Sequence, residues 1–226
     1  MQVFFQLAKQ DKARIFEQIS ARTPIPSYAV EKDWWVVQTL RVIQSTSAAD
    51  ALLFKGGTSL SKAWNLIDRF SEDLDLAIDR TFLGVNEAPN TNKKLRRLRE
   101  KSRKYLTNDF VIQLTEGFAS LGIKDIDIRV IKEVSSSADP TQIEIHYPFV
   151  TKHTDYLLPR VMLEIGSRSM MEPCKDQEIS SFVFQQFSDL NFADKPFGVN
   201  TVLPERTFLE KVFLLHEEFQ KPIENI

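Results

Sequence analysis

Two aspartates, Asp73 and Asp75, stand two positions apart in the otherwise apolar run DLDLAI. In a strand, residues i and i+2 project from the same face, so both carboxylates are expected to point together while Leu74 turns into the core. Neighbouring carboxylates repel each other unless a cation lies between them. Carboxylate and phosphate oxygens together are the ligands that suit Mg²⁺. The pair therefore predicts a divalent metal site, for Mg²⁺ or Mn²⁺.

A glycine pair, Gly56-Gly57, precedes the aspartates and follows a short apolar run that ends at Phe54. Thr58 and Ser59 come next and begin an amphipathic stretch. Glycine lets the backbone approach a ligand closely, and a helix that begins after it favours phosphate. The order of strand, glycine turn, helix and acidic strand predicts one site for metal and triphosphate. Backbone N–H groups and the Thr58 or Ser59 hydroxyl would hold the phosphates.

The string GGTSL followed by RFSEDLDL resembles the polymerase β superfamily of nucleotidyltransferases and, within it, the AbiEii/AbiGii nucleotidyltransferase toxins. The strings VEKDWW, at 30–35, and RTFLEKVFLLH, at 206–216, resemble two further helices of those toxins. Together the matching segments span most of the chain. The resemblance implies an α+β fold of the polymerase β type, in which helices flank a mixed, mostly antiparallel β-sheet.

The resemblance also implies an activity: transfer of a nucleoside monophosphate from an NTP to an acceptor hydroxyl, by analogy the 3′ end of tRNA, with release of pyrophosphate. Such a modification would arrest growth, as expected of a type IV toxin or a phage-defence effector that a cognate antitoxin protein neutralises. Two alternatives stay open. One is an enzyme that nucleotidylates protein, and the other is a non-catalytic regulatory protein that uses the same fold for binding.

Two more residues are expected to complete the site. Glu164, in RVMLEI, is the candidate third metal ligand, because a glutamate among apolar neighbours is costly to bury without a partner. An outward-facing glutamate on an edge strand is the alternative. By the resemblance, Lys211 is a candidate triphosphate clamp. Its helix is expected to bury an apolar stripe made of Phe208, Leu209, Val212, Phe213 and Leu215.

Three further residues are candidates around the triphosphate. Lys62 follows Thr58 by one helical turn, and it would touch phosphate, pair with Asp73 or remain solvated. In the resemblance, Arg69 and Ser71 form part of an RxSxD signature that braces the site.

Other motifs compete with this site or leave their role open. Asp125 and Asp127 form a second Asp-x-Asp pair, but no glycine turn precedes them, which favours the solvent side of a hairpin strand. Eight cations crowd residues 93–104, which indicates either a solvated face or a contact for the RNA backbone. EKDWW, at 31–35, is expected to dock the N-terminal helices by packing.

Composition limits the class of protein. The chain has 226 residues and a net charge of −2, so bulk charge does not indicate a nucleic-acid binder. It has no apolar run long enough for a membrane span, and its single cysteine, Cys174, fits a reducing cytoplasm. We expect N-terminal helices over 1–48 and a nucleotidyltransferase domain over 49–226. Because members of the resembled family usually continue into a helical second half, the chain is expected to be truncated or a short relative.

Local patterns give the expected elements. Periodicity and punctuation predict helices over 9–22, 28–44, 91–121 and 204–219, strands over 51–54, 73–78, 123–134, 142–147 and 160–165, and a strand or irregular run over 180–187.

Overall fold

The computed structural model of the protein describes residues 4–67, 73–131, 139–152 and 158–220. Within these ranges, seven strands form one mixed sheet. The strands are β1 Leu52–Lys55, β2 Asp73–Ile78, β3 Asp127–Val130, β4 Thr141–His146, β5 Arg160–Gly166, β6 Cys174–Ile179 and β7 Phe197–Val202. Their order across the sheet is β3-β4-β5-β2-β1-β7-β6. The pairs β1–β7 and β2–β5 are parallel and the other four are antiparallel. The predicted fold, α+β with a mostly antiparallel mixed sheet, is confirmed.

Helices flank the sheet. They are α1 Lys9–Arg22, α2 Ser27–Ile43, α3 Gly56–Lys62, α4 Asn92–Tyr105, α5 Val111–Ser120, α6 Phe182–Phe187 and α7 Pro204–Phe219. A π-helical turn over Leu106–Phe110 joins α4 to α5, so the long helix predicted over 91–121 is continuous but locally widened. None of the described helices is long and apolar enough to cross a membrane.

The core lies between one face of the sheet and helix α2. Leu74 and Leu76 of β2 are buried on this face together with Val161 and Leu163 of β5, as alternation along each strand requires. Helix α2 packs against β5 and against α1, α5 and α6. Because alternate residues point to opposite faces, Asp73, Asp75 and Glu164 lie on the other face of the same two strands.

The EKDWW segment packs as the sequence predicts. Trp34 and Trp35 are buried in the core. The Trp35 ring stacks on Tyr147 with 4.8 Å between ring centroids, and Trp34 contacts Phe4 at 5.1 Å. These aromatic contacts hold the first turns of the chain and helix α2 on the sheet.

The sequence misses two elements between β5 and β7. Strand β6, an exposed strand at the edge of the sheet, has no clear apolar alternation. The run over 180–187 is a short helix, α6, and not a strand. Ser181 caps this helix, because its hydroxyl accepts a hydrogen bond from the Phe184 N–H at 3.2 Å. Part of the predicted hairpin, residues 132–138, lies outside the described residues.

Helix α7 has the predicted bounds but not the predicted burial. The five apolar residues that were expected to form its buried stripe are between 42% and 66% exposed. Only Thr207, in the first turns, is buried. Among the described residues, α7 is anchored near its beginning, where Arg206 Nη1 donates to the Glu172 carbonyl at 2.6 Å. The amphipathic pattern thus predicts the helix correctly but not what covers it.

Candidate active site

The two aspartates lie at the start of β2. Asp73 is its first residue and Asp75 its third, so both project from the same face. Strand β5 runs parallel to β2, and its Glu164 is the Cα partner of Asp75. On the other side, antiparallel β1 places Lys55 opposite Asp75. Registered residues share a face, so Lys55, Asp75 and Glu164 form one row across three adjacent strands. Together with Asp73, which projects from the same face, these residues are the candidate catalytic residues, and we call the four of them the catalytic row.

The glycine turn lies directly against this row. Gly56 follows Lys55 and has φ of +75°, a conformation that only glycine adopts without strain. A Cβ atom at Gly56 would lie 2.6 Å from Cγ of Asp75 and 2.8 Å from its Cβ. Any other residue would therefore displace the aspartate. The turn and the acidic strand form one structural unit, as the spacing in the sequence predicts.

The hydroxyls after the turn point into the protein. Thr58 is buried, and its hydroxyl donates to the Asp73 backbone carbonyl at 2.5 Å. Ser59 is fully buried and donates to the Gly56 carbonyl at 2.8 Å. Both protons are thus engaged by backbone oxygens. The expectation that one of these hydroxyls holds phosphate is not what the geometry favours, because both hydroxyls fix the turn to β2. The glycine backbone remains available for that role.

Lys62 is a second correction. Helix α3 ends at Lys62, whose ammonium lies 2.5 Å from Oδ1 of Asp33 on helix α2. Both side chains are buried, at 9% and 2% exposure. The other Asp33 oxygen accepts the Phe182 N–H at 2.8 Å, and the Lys62 ammonium lies 4.3 Å from the centroid of the Phe182 ring. Lys62 therefore neither pairs with Asp73 nor reaches solvent, because a buried partner from the EKDWW segment holds it.

Burial is the main influence on the electrostatics of the catalytic row. Burial raises the pKa of the Asp75 carboxyl, since a charge is costly away from water. The positive charges of Lys55 and Lys211 lower this pKa, and the negative charges of Glu164 and Asp73 raise it. Their contributions decrease in the order Lys55, Glu164, Lys211 and Asp73. The Lys211 side chain, on α7, thus lies close enough to act on Asp75. Burial therefore outweighs the two lysines, whose charges offset those of Glu164 and Asp73.

Glu164 lies in the row but is engaged elsewhere. Its Oε1 accepts a hydrogen bond from Nε2 of Gln142, its partner on β4, at 2.7 Å. Because β5 is an interior strand, the alternative of an edge-strand glutamate is wrong. In the described part of the chain, no three His, Cys, Asp or Glu side chains converge closely enough to hold a metal ion. Carboxylate oxygens are the ligands that a hard cation prefers, so Asp73, Asp75 and Glu164 are the candidate ligands.

Two neighbours of the acids were missed from the sequence. Lys55 and Gln142 are recognisable only from the strand register, because neither belongs to a motif by itself. Lys55 does stand directly before the glycine pair, which is the one signal that could have found it. Arg69 and Ser71 lie outside the described residues.

The rival acidic pair has no such surroundings. Asp125 is exposed, and Asp127, at the start of β3, forms an exposed ion pair with Arg129 at 2.6 Å. This confirms the prediction that the second Asp-x-Asp pair lies on the solvent side of the hairpin.

Comparison with known proteins agrees with this geometry. A family model described as nucleotidyl transferase AbiEii toxin, type IV TA system, matches residues 39–224. Among solved structures, MenT4, a nucleotidyltransferase toxin from Mycobacterium tuberculosis H37Rv, is similar with a TM-score of 0.50 and 16% identity, over 91% of this chain. This chain spans only 58% of that toxin's length, and the likeness supports the fold alone. No curated protein matches the sequence. The family match covers well over half of the residues, so the chain belongs to the AbiEii nucleotidyl transferase toxin family of type IV toxin–antitoxin systems.

Proposed function

We propose that this protein is a metal-dependent nucleotidyltransferase that moves a nucleoside monophosphate from an NTP to an acceptor hydroxyl. The observation that carries the proposal is the contact between the Gly56 turn and Asp75, which sits in one row with Glu164 and Lys55. A glycine-walled carboxylate cluster is suited to bring a metal ion and a polyphosphate to the same place. The family to which the chain belongs points to the same reaction.

The acidic residues would hold Mg²⁺ or Mn²⁺. Asp73 and Asp75 are the proposed first ligands, and Glu164 would join them after leaving Gln142. When bound, the ion would offset phosphate charge and favour deprotonation of the attacking hydroxyl. Thr58 supports the acids from behind, since its hydroxyl holds the backbone of Asp73 at 2.5 Å. Gly56 supports them by leaving Asp75 its space.

The triphosphate would lie between the glycine turn and two lysines. Backbone N–H groups at Gly56 and Gly57 are proposed contacts, because they belong to the first turn of α3, where N–H groups have no partner within the helix. Lys55 and Lys211 are the proposed cationic contacts, since the charge of each acts on Asp75 from a different element. Arg69 and Ser71 remain proposed members of the site on the strength of the motif.

We propose RNA as the acceptor, with the 3′ end of tRNA as the first candidate, and a cytoplasmic toxin neutralised by a cognate antitoxin as the setting. Family membership supports the toxin role. MenT4 is itself named as a nucleotidyltransferase toxin. We also propose that residues 49–226 carry the catalytic unit and that 1–48 serve to pack it. A role in phage defence would follow from the same growth arrest.

The test is a labelling reaction with each α-³²P-NTP, Mg²⁺ and total tRNA. We expect label on RNA with the wild-type chain, and none with Asp75→Asn or after chelation of the metal. Asp125→Asn is the matched control, because it removes an exposed aspartate from the other Asp-x-Asp pair and should label normally. Label on polypeptide would identify a protein-nucleotidylating enzyme, and no label from any NTP would indicate a regulator. Equal labelling by Asp75→Asn would overturn the assignment.

A further inference from the structure

Helix α4 carries charge that the candidate site does not use. Residues 93–104 hold eight cations and one acid, although the whole protein has a net charge of −2. These like charges repel one another, but a cap at Thr91 favours the helix. The Thr91 hydroxyl oxygen accepts the Lys94 N–H at 3.3 Å. Leu98 and Ser102 are its buried positions. The opposite face therefore points to solvent.

Six of the eight cations of α4 fall into two groups, and the other two, Arg99 and Arg103, are partly buried. The first group already has partners: Lys94 pairs with Glu87 at 3.2 Å, Arg96 pairs with Glu100 at 2.9 Å, and Lys101 donates to the Leu83 and Gly84 carbonyls. These contacts tie the helix to the loop after β2 and neutralise part of its charge.

The second group forms the outward line of Lys93, Arg97 and Lys104. At about 100° per residue, these three side chains fall within roughly 40° of one another around the helix axis, and at 1.5 Å per residue they span about 16 Å. All three are exposed. None has an ion-pair or hydrogen-bond partner among the described residues. Like charges at this spacing repel each other, so a polyanion that lies along the line would relieve a cost that the fold leaves in place.

The composition of the line favours a sugar–phosphate backbone. Residues 92–104 contain no aromatic side chain on which a base could stack. Lysine and arginine without aromatics contact phosphates and position a nucleic acid without reading its sequence. We propose that the outward line of α4 is the docking surface for the backbone of the acceptor RNA. This inference rests on the proposed function only in that the acceptor is RNA.

Helix α4 is tied to the chain that follows the acidic strand. Lys101 bonds to Leu83, and the Tyr105 ring meets Phe82 edge-on at 5.0 Å, so the helix is fixed to the segment that continues β2. Leu83 follows Asp75 by eight residues, which limits their separation to about 28 Å. A strand that advances about 3.4 Å per nucleotide covers this distance in roughly eight steps. Leu83, to which α4 is bonded, therefore lies within a distance of Asp75 that a short RNA strand spans.

The experiment measures tRNA binding by the full chain over a range of KCl concentrations, without NTP and in the Asp75→Asn background, so that no chemistry contributes. The test variant is Lys93→Gln/Arg97→Gln/Lys104→Gln. The matched control removes three exposed lysines elsewhere, as Lys9→Gln/Lys152→Gln/Lys175→Gln. We expect the test variant to reduce the slope of log affinity against log salt by about 2, and affinity at low salt by at least tenfold, with a much smaller change in the control.

An equal loss in both variants, or an unchanged slope in the test variant, would overturn the docking surface. Competition by polyglutamate that matches tRNA at equal charge, and that is lost in the same variant, would also overturn it in favour of an acidic protein partner. Failure of the proposed function is a separate result. If wild-type protein labels no RNA, the activity is wrong, while the salt slope still decides the role of α4.

Discussion

Helix α3 lies between two clusters of charged side chains that differ in how their charges are satisfied. At its beginning, Gly56 contacts Asp75 in the catalytic row. At its end, Lys62 pairs with Asp33. We call Asp33 and Lys62 the buried cluster. Both Asp33 oxygens have partners, since one lies against the Lys62 ammonium and the other accepts the Phe182 N–H. In the catalytic row, three carboxylates share one face and the pKa of Asp75 is raised.

Glu31 extends the buried cluster on the same principle. Its two oxygens accept the Val150 and Thr151 N–H groups at 2.8 and 2.9 Å. Removing one member of such a buried, fully bonded pair leaves its partners unpaired, so each single substitution is expected to destabilise the fold. In the catalytic row, burial raises the pKa of Asp75 beside two other carboxylates, and a carboxyl group perturbed in this way indicates a candidate ligand site. The comparison separates charges whose partners lie within the fold from charges that we propose to contact substrate.

The largest expected effect is on activity, from Asp75→Asn. Loss of a metal ligand is expected to cost about 4 kcal/mol in the transition state, or roughly a thousandfold in rate. Stability should not fall, because burial disfavours the charged carboxylate. Since the folded pKa is raised, Asp75 stabilises the fold below its unfolded pKa of about 3.9, and this contribution is lost as the pH rises through the folded value. Initial rates and urea unfolding at several pH values measure both effects.

Metal addition sharpens this first prediction. Mg²⁺ should raise the melting temperature of the wild-type protein by mass action and have a smaller effect on Asp75→Asn. A variant with normal turnover, or one that Mg²⁺ stabilises as much as the wild type, would place the metal elsewhere.

The next effect is on stability, from Asp33→Leu. The substitution leaves the Lys62 ammonium buried without its carboxylate, and we expect a loss of about 3 kcal/mol in the free energy of unfolding. The double variant Asp33→Leu/Lys62→Met should recover most of that loss, because no buried charge remains. Urea denaturation of the singles and the double gives the coupling energy. If the losses of the two single variants add up in the double variant, Asp33 and Lys62 do not interact energetically as a pair.

A smaller effect on activity is expected from Lys55→Met. A charge-assisted contact to phosphate is worth about 1.5–3 kcal/mol, so kcat/KM for the NTP should fall roughly ten- to a hundredfold, while tRNA binding and stability change little. Lys211→Met is the companion variant on α7. If Lys55→Met lowers stability and leaves NTP kinetics intact, Lys55 only balances Asp75 and does not contact substrate.

The sequence predicts the catalytic row better than it predicts the buried cluster, for a physical reason. Asp73, Asp75 and Gly56 are close in the chain, so turn and strand geometry alone brings them together. The strand period places Glu164 on a definite face of β5. The partner of Lys62, in contrast, is 29 positions away on another helix, and no local pattern encodes that packing.

The fold shows the same division between local and long-range information. Periodicity and proline punctuation predict the bounds of α7, but its burial depends on a partner surface and was predicted wrongly. Ser181, which caps α6, is a local signal for a helix. The apolar run FVF that follows it is equally compatible with a strand, so the helix was not predicted. The register that pairs Lys55 with Asp75 requires the strand order, which the sequence does not give.

The smallest expected effect comes from Asp194→Asn, and it tests whether a raised pKa alone indicates a site. Burial also raises the pKa of Asp194, against the opposing charge of Arg41 and hydrogen bonds from Trp34 and Gln38 at 3.1 and 2.8 Å. Asparagine keeps an oxygen for these donors, so stability at pH 7 should change by less than about 1 kcal/mol and activity should not change. By the same sign as for Asp75, the aspartate should be relatively more stabilising below pH 3.9 or so than at neutrality. Loss of labelling in this variant would mean that Asp194, a half-buried carboxylate outside the catalytic row, also serves the reaction. Hydrogen-bonded partners would then not distinguish a structural carboxylate from a catalytic one.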